Sequence, residues 1–244
     1  MMGYDSRVPD RIEALASDLA TAPPAELHDR LREAVAGLSL RDRFTLLHRL
    51  GVYHHPDSFS GPAATLEETA ALRDALPTIA AQWNVRTLLD VPSGDFAWMR
   101  HLDLDVDYTG ADIVAELVQQ NEKRYGSARR RFVVLDATAD PLPRADLILC
   151  RDLLIHLGTR DAFALLKNFA ASGSRLLLTT HFAGRTSNPD IVSGDFRPVN
   201  LCRPPFNLPA PLQIINEHSR LGSGEFADRS MALWELPSIR DALR

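Results

Sequence analysis

Thr87-Leu88-Leu89-Asp90-Val91-Pro92-Ser93-Gly94-Asp95-Phe96 carries an apolar, strand-like run into an acidic loop with a proline and a glycine, and a further acid, Asp112, follows 22 positions after Asp90. In an open sheet of parallel strands, ligands lie outside the carboxyl ends of the strands. There a tight loop offers backbone N–H groups, and the next strand ends in a carboxylate that accepts from ribose hydroxyls. The stretch therefore predicts a nucleoside pocket, with Asp90 ending the first strand and Asp112 the second. Of the three glycine positions in the commoner dinucleotide fingerprint, only Gly94 is glycine here; Pro92 and Phe96 hold the others. Pro92 removes a donor and fixes φ, and Asp95 and Phe96 stand where a pyrophosphate would need an unobstructed helix N-terminus. These substitutions argue against a dinucleotide-dependent dehydrogenase.

Outward from this loop, strand and helix signals alternate. Strands are expected at 87–91, 107–111, 132–135, 145–150, 175–179, 212–217 and 230–236, and helices at 65–83, 95–102, 113–125 and 160–171. Thr65 with Glu68 has the form of a capping box opening the first helix. Strands separated by helices imply βαβ units with right-handed crossovers, and the last two strands look like a hairpin. The expected fold is α/β: a Rossmann-like, seven-stranded, mostly parallel sheet with helices on both faces. Before it, Ile12, Leu15, Leu19, Leu27, Leu31, Val35, Phe44, Leu47 and Leu50 recur at helical spacing between breaks at Pro23-Pro24 and Gly37. Residues 1–64 are thus expected to form an N-terminal helical extension ending in a lid loop with His54, His55, Ser58, Ser60 and Gly61. Residues 65–244 form the main domain. From 182 to 211 the periodicity stops, with five prolines between Pro198 and Pro211, and a loop of that length is expected to be functional or mobile.

A chain of 244 residues, 45% hydrophobic, is long enough for one sizeable core. The net charge of −5 argues against nucleic acid or an anionic membrane as partner, because phosphate contacts need clustered Lys and Arg. The short run Arg129-Arg130-Arg131 reads as a solvated turn. Cys150 and Cys202 form no CxxC pair, so neither a disulfide framework nor a zinc site is expected. No signal-peptide core or membrane span is legible, and the expected location is cytoplasmic.

Five motifs act together: Asp90-x-Pro92-x-Gly94-Asp95-Phe96-x-Trp98-Met99, Tyr108-x-Gly110-x-Asp112-Ile113, Leu135-Asp136-x-Thr138, Cys150-Arg151-Asp152-x-x-x-His156-Leu157 and Arg197-Pro198-x-Asn200-Leu201. With them the chain resembles the class I S-adenosylmethionine-dependent methyltransferases, and most of all a bacterial branch whose first motif has this Asp-x-Pro-x-Gly-Asp-Phe-x-Trp-Met form. The resemblance spans residues 58–236 and implies S-adenosylmethionine as methyl donor. It implies a cofactor site made of Asp90, Pro92, Gly94, Asp95, Trp98, Asp112, Ile113, Asp136, Ala137 and Arg151. The ligand's own chemistry agrees with those residues. Its ammonium wants Asp90, its ribose diol a bidentate Asp112, and its adenine amino group Asp136, with the Ala137 N–H on the ring.

Methyl transfer to a hydroxyl is an in-line displacement that gains from positioning and from a base. His156, beyond the fourth strand, is the expected base, with Asp152 four residues earlier as its orienter or as a substrate ligand; His181, past the fifth strand, is the second candidate. Arg185, Asp190, Arg197 and Asn200 in the long loop are expected to bind the acceptor, and their mixed donors and acceptors suggest a sugar or oligosaccharide. Asp152, Asp190 and Asp195 could hold a divalent metal, but no spacing requires it, and adjacent His54 and His55 diverge, so no metal is assigned. Alternatives are N- or carboxyl-methylation of a small metabolite, or a non-catalytic S-adenosylmethionine-binding protein. The amphipathic N-terminal helices are expected either to cover the acceptor cleft or to form a homodimer interface.

Overall fold

Two strands of this chain, β4 (Leu147–Cys150) and β5 (Leu176–Phe182), are buried at every position. Continuous apolar runs of that kind belong to parallel strands covered on both faces. In the computed structural model, which describes residues 8–21 and 23–243, they lie at the centre of a seven-stranded sheet. Residues 1–7, the start of the expected extension, lie outside the described residues. The other strands are β1 (Thr87–Asp90), β2 (Asp107–Asp112), β3 (Arg130–Val134), β6 (Gln213–Asn216) and β7 (Arg229–Glu235). Their order across the sheet is β3-β2-β1-β4-β5-β7-β6. β1 to β5 run parallel, whereas β7 is antiparallel to both β5 and β6. The hairpin-like last pair enters the sheet with β7, the later strand, inserted next to β5.

Each face of the sheet carries its own core. On one face Leu89, Ile148, Leu177 and Trp234 pack with Leu165, Leu166 and Phe169 of α6 (Thr159–Ala171) and Ile239 of α7 (Leu236–Ala242). On the other, Leu88, Leu147, Leu149, Leu178 and Leu233 pack with Leu72, Leu76 and Ile79 of α4 (Ala70–Gln82) and Val118 of α5 (Ala115–Tyr125). The extension supplies α1 (Val8–Ala20), α2 (Pro24–Ala36) and α3 (Leu40–Arg49), which share a third cluster around Ile12, Leu19, Val35, Leu46 and Leu47. Helices on both faces of a mostly parallel sheet are the fold expected from the sequence.

Local departures have identifiable causes. The segment 95–102 does not form a helix; only a 3₁₀ turn, Met99–His101, is present. Gly94 and Phe96 both adopt left-handed φ, +52° and +59°. The Phe96 ring is thereby driven between Tyr108, Tyr125 and Phe132, with centroids 5.1–5.2 Å away. The first main-domain helix starts at Ala70 rather than near residue 65. Thr65 Oγ1 does accept from the Glu68 N–H at 3.3 Å. The reciprocal half of the capping box is missing, because the Glu68 carboxylate accepts from Ser219 Oγ at 2.6 Å and the Arg220 N–H at 3.0 Å. The expected strand end at Leu236 turns directly into α7, where Pro237 sits in the first turn, the position at which proline's missing N–H costs nothing. The proline-rich loop is held in the core: Val199, Leu201, Phe206 and Leu208 are buried against the α6 face.

Candidate functional site

The carboxyl ends of β1 to β4 open on a cavity of about 530 Å³. Asp90, Asp112 and Asp136, which end or follow three adjacent parallel strands, all line it. Register explains their convergence: Asp90 of β1 pairs with Gly110 of β2, and Asp112 pairs with Val134 of β3. Asp90 is buried, and among the described residues its carboxylate accepts one hydrogen bond, from the Tyr108 hydroxyl to Oδ2 at 2.6 Å. Burial pushes its carboxyl up to about 7, against the Tyr108 bond, with the charge of Asp112 adding to the rise.

Asp112 is set in place by two backbone donors: the Gly94 N–H donates to Oδ2 at 3.0 Å and the Val114 N–H to Oδ1 at 3.0 Å. One bond on each oxygen fixes the plane of the carboxylate and leaves a further lone pair on each. Burial again dominates and raises this group to about 6. Gly94 makes the approach possible. A Cβ there would fall 2.2 Å from Ser60 Oγ, on a backbone already in the left-handed region. Asp136 accepts from the Thr138 N–H at 2.9 Å and its hydroxyl at 2.6 Å, both on Oδ1, which leaves Oδ2 without a donor among the described residues.

The loop expected to act as a lid is docked on Asp95. That carboxylate accepts from Ser58 Oγ, the Phe59 N–H and Ser60 Oγ at 2.8–3.2 Å. Ser60 Oγ in turn accepts from the Asp95 N–H at 3.0 Å. The extension reaches the main domain through α3 as well: Arg49 pairs with Glu116 at 2.6 Å and Arg41 donates to the Ile113 carbonyl at 3.2 Å. Leu40, Phe44, His48 and Tyr53 consequently form part of the cavity wall.

Past β4 the chemistry changes sign. Arg151 donates through Nε to Glu217 at 2.8 Å and through Nη1 to Asp152 at 3.2 Å; Arg229 donates to the same two acids, to Glu217 at 2.9 Å. The result is a closed square of two guanidinium groups and two carboxylates. Burial alone would raise Asp152, but Arg229 and Arg151 outweigh it and hold the group at about 2. Arg151 also donates to the Ala63 carbonyl at 2.8 Å and lies over the Trp98 ring, 5.8 Å from its centroid.

His156 and Asp152 both line the cavity, but no bond joins them. The expected helical turn between them is a 3₁₀ turn, Leu154–His156, and Asp152 itself has φ of +62°. The imidazole is oriented instead by a backbone carbonyl: Nδ1 lies 2.8 Å from the Asp195 oxygen. A carbonyl can only accept, so Nδ1 carries the proton and Nε2 keeps a lone pair. Burial lowers the imidazole's pKa, against the Asp195 bond and Asp152, which raise it. Burial thus favours the neutral ring.

Other expected site residues lie elsewhere. His181 lies within β5 rather than past it and is buried there; its Nδ1 accepts from the Leu201 N–H at 3.2 Å and its ring packs on Trp234, and burial lowers its pKa to about 4. Arg185, Asp190, Arg197 and Asn200 are absent from the cavity wall. Arg197 donates to the Leu157 and Pro189 carbonyls, Asn200 to the Ala183 and Arg185 carbonyls, Arg185 to Asp228, and Asp190 accepts from the Thr159 N–H. These side chains are engaged with carbonyls of the loop itself and with the segments packed against it, where an irregular backbone has no regular ladder to satisfy it. Among the described residues no cluster of His, Cys, Asp and Glu is arranged to hold a metal ion, and no helix is long and apolar enough to cross a membrane.

Sequence reasoning placed Tyr108 in a motif without giving it a role, and missed Tyr53, Glu217 and Arg229. A signal existed for the last two: each is a charged residue beside an apolar strand of a hairpin, an arrangement that requires a partner if buried.

No protein-family model and no curated protein matches the chain. Solved structures do. The N-methyltransferase NodS from Bradyrhizobium japonicum superposes with a TM-score of 0.50 at 11% identity, over 71% of this chain and 98% of NodS. Human N-acetylserotonin methyltransferase in complex with SAM gives 0.49 at 12%, over 94% and 66%. An S-adenosylmethionine-dependent methyltransferase from Clostridium acetobutylicum gives 0.48 at 12%, over 67% and 90%. Against three further neighbours the match spans 66%, 47% and 59% of the neighbour's own length. At such identities the likeness extends to the fold, not to the reaction. The chain has the Rossmann-like methyltransferase fold.

Proposed function

We propose that the chain is an S-adenosylmethionine-dependent O-methyltransferase in which His156 is the general base. One observation carries this reading. Asp90, Asp95, Asp112 and Asp136 line the cavity, and none of them takes part in an ion pair among the described residues, whereas Asp152 is matched by Arg151 and Arg229. A cavity with unmatched acids suits a cationic ligand and repels a pyrophosphate, which further disfavours a dinucleotide. The donor set fits S-adenosylmethionine part by part. Asp90 would take the ammonium, and a cation there would offset the cost of ionising its buried carboxyl. Asp112 would take the ribose diol and Asp136 Oδ2 the adenine amino group, while Gly94 leaves room for close backbone approach. Once bound, S-adenosylmethionine supplies an electrophilic methyl group.

The protein's remaining task is to present a hydroxyl and remove its proton. His156 is suited to this because its tautomer leaves Nε2 free to accept, and because burial favours the neutral ring. Arg151 and Asp152, locked in the charge square, brace the wall between donor and acceptor.

Isothermal titration with S-adenosylhomocysteine tests the cofactor half. Asp112→Asn should weaken binding roughly 10- to 100-fold, the loss of charge-assisted hydrogen bonds; an unchanged isotherm would overturn the assignment. Methyl transfer from labelled S-adenosylmethionine, screened across hydroxyl, amine and carboxyl acceptors, tests the rest. For a hydroxyl acceptor His156→Gln should lower kcat ~100-fold with cofactor affinity unchanged. Turnover that survives the substitution would point instead to an amine or carboxylate acceptor, and binding without any turnover to a non-catalytic protein.

A further inference from the structure

Around His156 the cavity wall is aromatic. The ring of Tyr53 lies 4.8 Å from the imidazole and that of Phe196 5.9 Å, centroid to centroid. Phe226 stands edge-on to Phe196 at 5.4 Å, and Phe182 edge-on to Phe226 at 6.0 Å. All four rings line the same cavity. Phe196 is 45% exposed although it lies in this cavity wall. A large apolar side chain left open in a concave wall marks a binding surface. The polar groups available beside these rings are few. Tyr53's hydroxyl donates to the Gly194 carbonyl at 2.8 Å, and Asp152 is held by Arg229 and Thr180. His156 Nε2 is left as an acceptor, and Arg229 Nη1 is a donor for which no protein partner exists among the described residues.

We infer that the acceptor is a flat aromatic ring bearing a hydroxyl, a phenol rather than a sugar; this rests on methyl transfer at the cavity proposed above. The His156 acceptor and the Arg229 donor suit one hydroxyl, while a saccharide would press several hydroxyls against a wall of four aromatic rings, each unsatisfied one costing desolvation. Tilted and edge-on rings offer an aromatic ligand both faces and edges, the arrangement that stacked and T-shaped pairs favour. The polar loop residues that suggested a sugar are engaged with other protein groups and are absent from the cavity wall.

The test is equilibrium binding of three probes, 2-naphthol, 1-octanol and methyl glucoside, to the full chain, each with and without S-adenosylhomocysteine. The expected order is 2-naphthol tightest and methyl glucoside weakest. Phe196→Ala, at a half-exposed site that tolerates truncation, should weaken 2-naphthol roughly tenfold or more and leave S-adenosylhomocysteine binding unchanged. Phe226→Leu, which keeps apolar volume and removes the ring, should weaken it in the same direction. Methyl glucoside or 1-octanol binding as tightly as 2-naphthol, or Phe196→Ala and Phe226→Leu without effect, would overturn the inference with the methyl-transfer reading intact. A protein that binds 2-naphthol but shows no heat with S-adenosylhomocysteine would sink methyl transfer and leave an aromatic-binding chamber standing.

Discussion

Asp90 and Asp152 stand at or just past the ends of two neighbouring parallel strands and open on the same cavity, the first buried and the second half-buried, yet one is pushed up to about 7 and the other held down at about 2. Burial acts on both in the same direction. The difference lies in the company each keeps: a phenol for Asp90, two guanidinium groups for Asp152. Proximity to the cavity therefore does not decide a carboxylate's state; the partner brought to it does. The β1 end is left with unmatched acid that a cationic ligand can complete, and the β4 end is finished by the protein itself.

The strongest way to break the contrast is Arg229→Met. It leaves Asp152 and Glu217 sharing one guanidinium in a buried site, and should destabilise the fold by ~3–5 kcal/mol, measured by urea denaturation. A loss below about 1 kcal/mol would show that the square is not a structural unit.

The next test uses pH and predicts opposite signs. Asp90 has a native pKa of about 7 against an ordinary 3.8, so between those values the unfolded chain has released a proton that the native protein still holds. Wild-type stability falls as pH climbs through that window, by at most ~1.4 kcal/mol per pH unit from this group. Asp90→Asn should therefore gain stability relative to wild type from about pH 5 to about pH 7.5. Asp152, with a native pKa of about 2, contributes stability that is full above about 4 and lost as pH falls toward 2. The deficit of Asp152→Asn should shrink on acidification over that range. Parallel curves for the two variants would mean that the two carboxyls do not differ.

Smaller changes sharpen the β1 side. Gly94→Ala meets Ser60 on a left-handed backbone and should cost ~1–2 kcal/mol. It should also loosen the 53–62 loop, read as faster amide exchange at Phe59 and Ser60. Tyr108→Phe removes the hydrogen bond that the Tyr108 hydroxyl donates to the Asp90 carboxylate. It should cost ~1 kcal/mol and move the Asp90 titration, followed by carboxyl NMR, further up. A downward shift would contradict the assignment.

The β1 side was legible in the sequence because its information is local. A strand, its terminal acid and a glycine where the backbone must turn lie within ten residues of each other, and the 22-residue interval to Asp112 is one βα unit. The β4 side was legible only as residue types. Arg151, Asp152 and His156 could be picked out, but Asp152 was paired with His156 on helical spacing, and a left-handed Asp152 removed the helix. Glu217 and Arg229 arrive from a hairpin 65 to 77 residues later, through the insertion of β7 between β5 and β6. The long loop misled for a related reason. Arg197 and Asn200 are polar because an irregular backbone needs side-chain partners, a demand that composition alone cannot distinguish from a substrate's.

By itself the sequence determined the alternation of strands and helices, the helical extension before it, and the row of acids at the strand ends. Those features follow from periodicities of two and 3.6 residues and from short intervals along one chain. Only the tertiary structure decided which acids stay unmatched, which nitrogen of His156 is free, and that aromatic rings from α3's following loop and the proline-rich loop close around it. Ionisation and tautomer are set by partners within a few ångströms, and here those partners come from strands and loops far apart in the chain.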